Sequence, residues 1–249
     1  MQNCQACLKK NLWSNTGKRD ESGAIIRKCT NCGHLQAEPV PQGLRIPKRV
    51  LYYDIETSMM TMEIETFQLN QYSPWLKWED IKKPPFMICW SAVWIENGKV
   101  GKVMGESVTS AGARRGNDKQ CVKKLWKLLN QADYIVGHNS KAFDTKKSHL
   151  RFLLNDLPSP DLSVKQVDTL ALAKKYFKND SNSLGYWLHC FGEVGKDEME
   201  MDDWHKCKRG DQKTLDKMLK YCKHDVLRGA KVLLRFQKYI EGVGVRLFK

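Results

Sequence analysis

Residues 50–57 read VLYYDIET: four residues suited to a buried strand, then Asp54 and Glu56 two positions apart. Val and Tyr favour extended chain and the run is apolar and short, so residues 50–53 are expected to form a core strand that delivers Asp54. Strand side chains alternate between faces, which puts Asp54 and Glu56 on the same one. Two more acidic segments follow, YIVGHNSKAFD ending at Asp144 and YCKHDV carrying Asp225. Carboxylates are hard oxygen donors, so their convergence makes a site for Mg²⁺ or Mn²⁺ rather than for Zn²⁺. On a chain of formal charge +14, such a pocket points to metal-dependent phosphodiester chemistry.

The rest of the domain reads outward from that strand. Segments 87–95 and 99–106 flank Glu96-Asn97-Gly98, a hairpin signal. Helical spacing of Val122, Leu125, Trp126, Leu128 and Leu129 predicts a helix over 119–130. A strand at 134–136, a helix at 141–154, a strand at 164–167, helices near 170–177 and 184–191, and a long helix from 213 to 239 complete the order. That order is α/β, with an antiparallel meander preceding parallel strands. Segment 58–85 is less regular, and its Tyr72, Trp75 and Trp78 are expected to flank the mouth of the site.

Each acid has its own setting. Gly137 lets the chain turn after its strand, His138 and Asn139 offer donors to a phosphate or base edge, and Asp144 closes the loop. Phe143 reads as core more than as a stacking wedge, while remaining a candidate nucleic-acid contact with His138 and Asn139. Tyr221 and Asp225 stand at i and i+4 of a helix, on one face, so the phenol can reach a water held on the metal at Asp225. His224 points about 100° away and reads as surface or supporting. Asp168 is expected to cap the helix after its strand. Cys89, Cys121 and Cys222 read as core, and Cys190 and Cys207 as buried thiols beside surface His189 and His205. The pairs Lys123-Lys124, Lys146-Lys147 and Arg114-Arg115 are ordinary solvated charge singly, and together can line a strand-binding groove.

These motifs carry a resemblance. DIET, GHNSKAFD and YCKHDV resemble the three exonuclease motifs of the DEDD (DnaQ-like) 3′–5′ exonuclease superfamily, over residues 48–240. Tyr221 four before Asp225 resembles the tyrosine subgroup (DEDDy); the histidine subgroup would have His where this chain has Lys220. The wording is most similar to proofreading domains of B-family DNA polymerases, although an aromatic residue often follows the glycine there and His138 does here. The resemblance implies an RNase H-like mixed sheet flanked by helices, and two Mg²⁺ or Mn²⁺ ions. Asp54 would bridge both ions, Glu56 and Asp225 would complete the site of the nucleophilic water, Asp144 would serve the second ion, and Tyr221 would orient the water. The substrate implied is single-stranded nucleic acid, DNA favoured and RNA possible, and the product a nucleoside 5′-monophosphate. Two ions about 4 Å apart are physically suited to an in-line displacement. The same acids would also serve a structure-selective endonuclease or a ribonuclease. A third reading, a nucleic-acid-binding protein with a vestigial nuclease fold, fits less well, since all four acids are present.

Ahead of this domain, residues 1–36 carry Cys4-x-x-Cys7 and Cys29-x-x-Cys32 with 21 residues between the pairs. Two such pairs close a tetrahedral shell for one structural Zn²⁺ in a zinc ribbon. Gly33 suits the turn after Cys32, Asp20-Glu21-Ser22-Gly23 reads as a hairpin turn, and 24–28 as the returning strand. His34 is a possible substitute ligand, but four Cys already close the shell. Residues 37–48, rich in proline, form a linker, and 49–249 the main domain. Forty-two Lys and Arg against 28 Asp and Glu mark a polyanion partner or, more blandly, a solvated basic surface. The zinc ribbon is expected to dock nucleic acid or a protein partner. Nine cysteines, an odd count, and no secretory signal favour metal binding and buried thiols over disulfides. No run approaches eighteen apolar residues, so a soluble, cytoplasmic protein with no membrane contact is expected.

Overall fold

The computed structural model describes residues 6–7, 13–19, 25–37, 49–63, 77–160, 165–193, 198–244 and 247–248. They fall into two compact units, Met1–Lys48 and Arg49–Lys249.

In the first unit, β1 (Trp13–Arg19), β2 (Ile25–Cys29) and β3 (Leu35–Ala37) form an antiparallel sheet in that order. A bulge interrupts the β1–β2 register between Asn15 and Lys18. Cys32 sits in the turn between β2 and β3, where the Gly33 N–H donates to the Cys29 carbonyl at 2.9 Å. Cys4, the turn at 20–23 and residues 38–48 of the linker expected over 37–48 lie outside the described residues, while Ala37 closes β3.

The second unit is built on β4 (Val50–Thr57). Beyond it come the short pair β5 (Thr61–Met62) and β6 (Ile81–Lys83), then β7 (Met87–Glu96), β8 (Lys99–Val100) and β9 (Met104–Ser107). After α1 (Ser110–Arg115) and α2 (Lys119–Leu129) come β10 (Tyr134–Gly137), α3 (Asp144–Leu154), β11 (Lys165–Asp168) and α4 (Thr169–Tyr176). The chain closes with α5 (Leu184–Cys190), α6 (Met201–Lys208) and α7 (Gln212–Gly242). The main sheet runs β11-β10-β4-β7-β8, with β9 also on β7. Strands β10 and β11 are parallel to β4 and to each other in turn, and β7 is antiparallel to β4, β8 and β9. This mixed sheet flanked by helices is the RNase H-like α/β architecture.

Alternation along β4 sorts the core. Leu51, Tyr53 and Ile55 pack with Val122, Leu125 and Leu129 of α2 and Phe152 of α3. Val50 and Tyr52 face the other way, onto Val226, Ala230 and Leu233 of α7. Asp54 and Glu56 continue the second set, so the strand turns its acids toward the helix that carries Asp225. Gly229 permits this approach: a Cβ there would lie 2.1 Å from the Tyr52 hydroxyl oxygen. Among the described residues no helix is long and apolar enough to cross a membrane.

Several elements differ from the expectation. The strand expected over 99–106 is broken at 101–103, where the Gly101 N–H donates to the Trp94 carbonyl. Helix α3 starts at Asp144 rather than 141, because Asn139 takes φ 64 and the chain must first turn. Helices α1 and α6 were not anticipated. The first has six residues, and the second is dominated by charge and held by a Glu200/Asp203 capping box.

Candidate active site

Three elements bring the acids together. Asp54 and Glu56 stand half-buried on β4, Asp144 opens α3 at 3% exposure, and Asp225 lies on α7 at 7%. Asp144 is fixed by the strand that carries the first pair: its Oδ1 accepts the Ile55 N–H at 3.0 Å. Burial, and after it the carboxylates of Asp144, Glu56 and Asp225, hold the Asp54 carboxyl well above its usual range. Burial likewise pushes Asp144 up to about 6, against the pull of the Ile55 N–H. Crowded acids in a partly dry setting are costly until something positive joins them. Hard oxygen donors that repel one another are suited to a divalent cation such as Mg²⁺ or Mn²⁺.

The Cys222 thiol, one position after Tyr221, lies 3.6 Å from both Oδ2 and the backbone carbonyl of Asp54. Cys89 and Cys222 are wholly buried and Cys121 nearly so, as core thiols should be. Tyr221 is buried with Phe86, Ile88 and Cys89, one helical turn before Asp225.

Asp168 organises the turn ahead of Asp144. It caps α4 through the Leu170 N–H at 2.9 Å and also accepts the N–H groups of Asn139 and Lys141, each at 3.0 Å. Gly137 makes the turn possible, since a Cβ there would come 2.6 Å from that of Ser140. Asn139 is exposed. His138 is not: its Nδ1 is 2.9 Å from Thr169 Oγ1 and its Nε2 is 2.9 Å from the Asn182 carbonyl. Both ring nitrogens are thus engaged within the protein. Phe143 is 40% exposed rather than core, with the Lys147 ammonium 5.9 Å from its ring centroid. As the first residue before α3, it lacks a helix face to bury. Cys190 is exposed rather than buried. Trp78 is 78% exposed, while Tyr72 and Trp75 lie outside the described residues.

A cleft of about 650 Å³ opens beside the acids, lined by Tyr52, Asp54, His138, Asn139 and Asp225 together with Leu170, Lys174 and residues 182–185. Glu56, Asp144, Phe143 and Tyr221 lie outside that lining. Leu170, Lys174 and Asn182 are contributors that sequence reasoning missed. They lie about 30 to 45 residues beyond GHNS, and only the strand–helix alternation hinted that they return to it.

The fold is shared with a DNA polymerase. The family B DNA polymerase of the hyperthermophilic archaeon Pyrobaculum calidifontis superposes with a TM-score of 0.54 at 14% identity, over 91% of this chain. The chain spans 28% of the length of that polymerase. No family model matches the chain, and no curated protein matches it in sequence.

The first unit holds a separate cluster. The sulfur atoms of Cys7, Cys29 and Cys32 all lie within 4.8 Å of one another, and Cys7 and Cys29 are 3.9 Å apart. Zn–S bonds of about 2.3 Å in a tetrahedron put sulfurs about 3.8 Å apart, so this spacing suits a zinc thiolate site. The four carboxylates are not drawn to that spacing.

Proposed function

We propose that residues 49–249 form a metal-dependent 3′–5′ exonuclease of the tyrosine DEDD type, acting on single-stranded nucleic acid with DNA favoured. The observation that carries the reading is the convergence of Asp54, Glu56, Asp144 and Asp225 from β4, α3 and α7 beside a cleft. Likeness to a DNA polymerase leans the substrate toward DNA. The four carboxylates would hold two Mg²⁺ or Mn²⁺ ions, which when bound supply an activated water and charge stabilisation for phosphodiester hydrolysis. Tyr221 orients the attacking water through its hydroxyl. In the cleft, the Lys174 ammonium offsets phosphate charge, and Leu170 and Leu184 offer apolar surface to a base. In the first unit, Cys7, Cys29 and Cys32 with Cys4 would hold one structural Zn²⁺, in a module that docks nucleic acid or a protein partner.

The test is an assay of 3′- and 5′-labelled DNA and RNA oligonucleotides with Mg²⁺, Mn²⁺ or no added metal. Shortening only from the 3′ end, releasing nucleoside 5′-monophosphates, is expected. Cleavage of a closed circle would instead identify an endonuclease.

A further inference from the structure

His138 ties together three pieces of chain that meet at the cleft. It follows the last residue of β10, its Nδ1 meets Thr169 at the start of α4, and its Nε2 meets the carbonyl of Asn182, one residue before the Ser183 cap of α5. A carbonyl only accepts, so Nε2 carries the proton and donates to Asn182. Thr169 is wholly buried and is itself anchored, its hydroxyl 3.2 Å from the Gly137 carbonyl. The ring therefore stands on a fixed base and grips the backbone of Asn182. A second observation gives that grip a purpose. Asn182 is one of the residues lining the cleft, and its side-chain oxygen is buried and meets no hydrogen-bond donor of the protein. Buried acceptors left without a donor are costly, and where they line a cleft a ligand donor relieves them.

We propose that His138 is a positioning residue that clamps the Asn182 peptide, so that the Asn182 amide oxygen accepts a hydrogen bond from a donor on the terminal nucleotide, either a base amino or imino group or a sugar hydroxyl. This rests on the nuclease reading above for the nature of the ligand, but not for the clamp. The ring recognises nothing itself; it fixes what does.

Backbone hydrogen exchange and steady-state kinetics on single-stranded oligonucleotides test the two halves separately. In His138→Ala, the amides at 183–186 should exchange about 10-fold faster, the scale of one lost hydrogen bond, with those of β4 and α7 unchanged. KM should rise about 10-fold and kcat change less than about 3-fold. His138→Gln keeps a donor near the position of Nε2 and should restore most of both. Asn182→Ala should raise KM similarly, and the double variant should be no worse than either single one. Unchanged exchange in His138→Ala would overturn the clamp. A fall in kcat at constant KM would overturn the positioning role, and additive effects in the double variant would overturn the coupling. Terminal nucleotides differing in base or sugar donors would show which group Asn182 reads, and equal KM effects of Asn182→Ala on all of them would overturn that contact. A wild-type protein that cleaves nothing would overturn the nuclease reading alone, with the exchange result still deciding the clamp.

Discussion

Asp118, buried, and Asp54, half-buried, are both acids of the second unit, and their surroundings are opposite. Asp118, 1% exposed, accepts two hydrogen bonds of 2.7 Å from the Arg151 guanidinium, one of 2.7 Å from the Met87 N–H and one of 3.0 Å from Asn155. Its charge is neutralised and its oxygens are satisfied by the fold itself. The principal neighbours that shift Asp54 are three other acids and a thiol. One site is a finished clasp holding α2, α3 and the start of β7. The other is a crowded group of acids in which burial and the neighbouring carboxylates push the Asp54 carboxyl up. On the proposed function, Asp118 brings its partner with the fold, whereas Asp54 is completed by a bound cation.

The widest separation of the two sites should come from Asp54→Ala. Metal-dependent cleavage should fall by at least about 10³-fold, the scale seen when a catalytic group is removed, while the melting temperature holds or rises. Asp118→Asn should do the reverse, leaving metal affinity unchanged and costing about 3–5 kcal/mol in denaturant unfolding, because Arg151 loses its buried partner. A mutant that lost both properties together would dissolve the distinction.

Smaller effects sharpen it. Tyr221→Phe removes the hydroxyl proposed to orient water and should lower kcat about 10- to 100-fold, with Mn²⁺ affinity unchanged by calorimetry. The pH dependence of stability gives the finest test. Asp144 has a raised folded value, about 6, so it binds its proton more tightly folded than unfolded. Its contribution is therefore favourable at low pH and is lost as pH rises through about 6. With Mg²⁺ omitted, calorimetric melting should show stability declining from pH 4.5 to 7.5, with Asp54 adding to the decline in the same direction, and Asp144→Asn should lessen it on the order of 1–3 kcal/mol. Added Mg²⁺ should flatten it too, by binding the ionised form.

The acids were legible in the sequence because each rests on a local rule. Alternation placed Asp54 beside Glu56, and helical spacing placed Tyr221 one turn before Asp225. The cap at Asp168 was legible for the same reason, but not its second task of holding the 139–141 turn, which depends on β10 and β11 lying side by side. Part of the cleft lining escaped, since Leu170, Lys174 and Asn182 join Asp54 only through the topology of the sheet. Phe143 was misjudged because its apolar ring suggested burial, whereas its place before the first turn of α3 leaves it no core to enter.

Titration of the protein with Mn²⁺ by isothermal calorimetry, in wild type, Asp54→Ala and Asp118→Asn, tests the contrast most directly. Binding present in wild type and Asp118→Asn, and lost in Asp54→Ala, is the predicted result. Equal Mn²⁺ binding by wild type and Asp54→Ala would contradict the account, because the acid cluster would then not be where the cation binds.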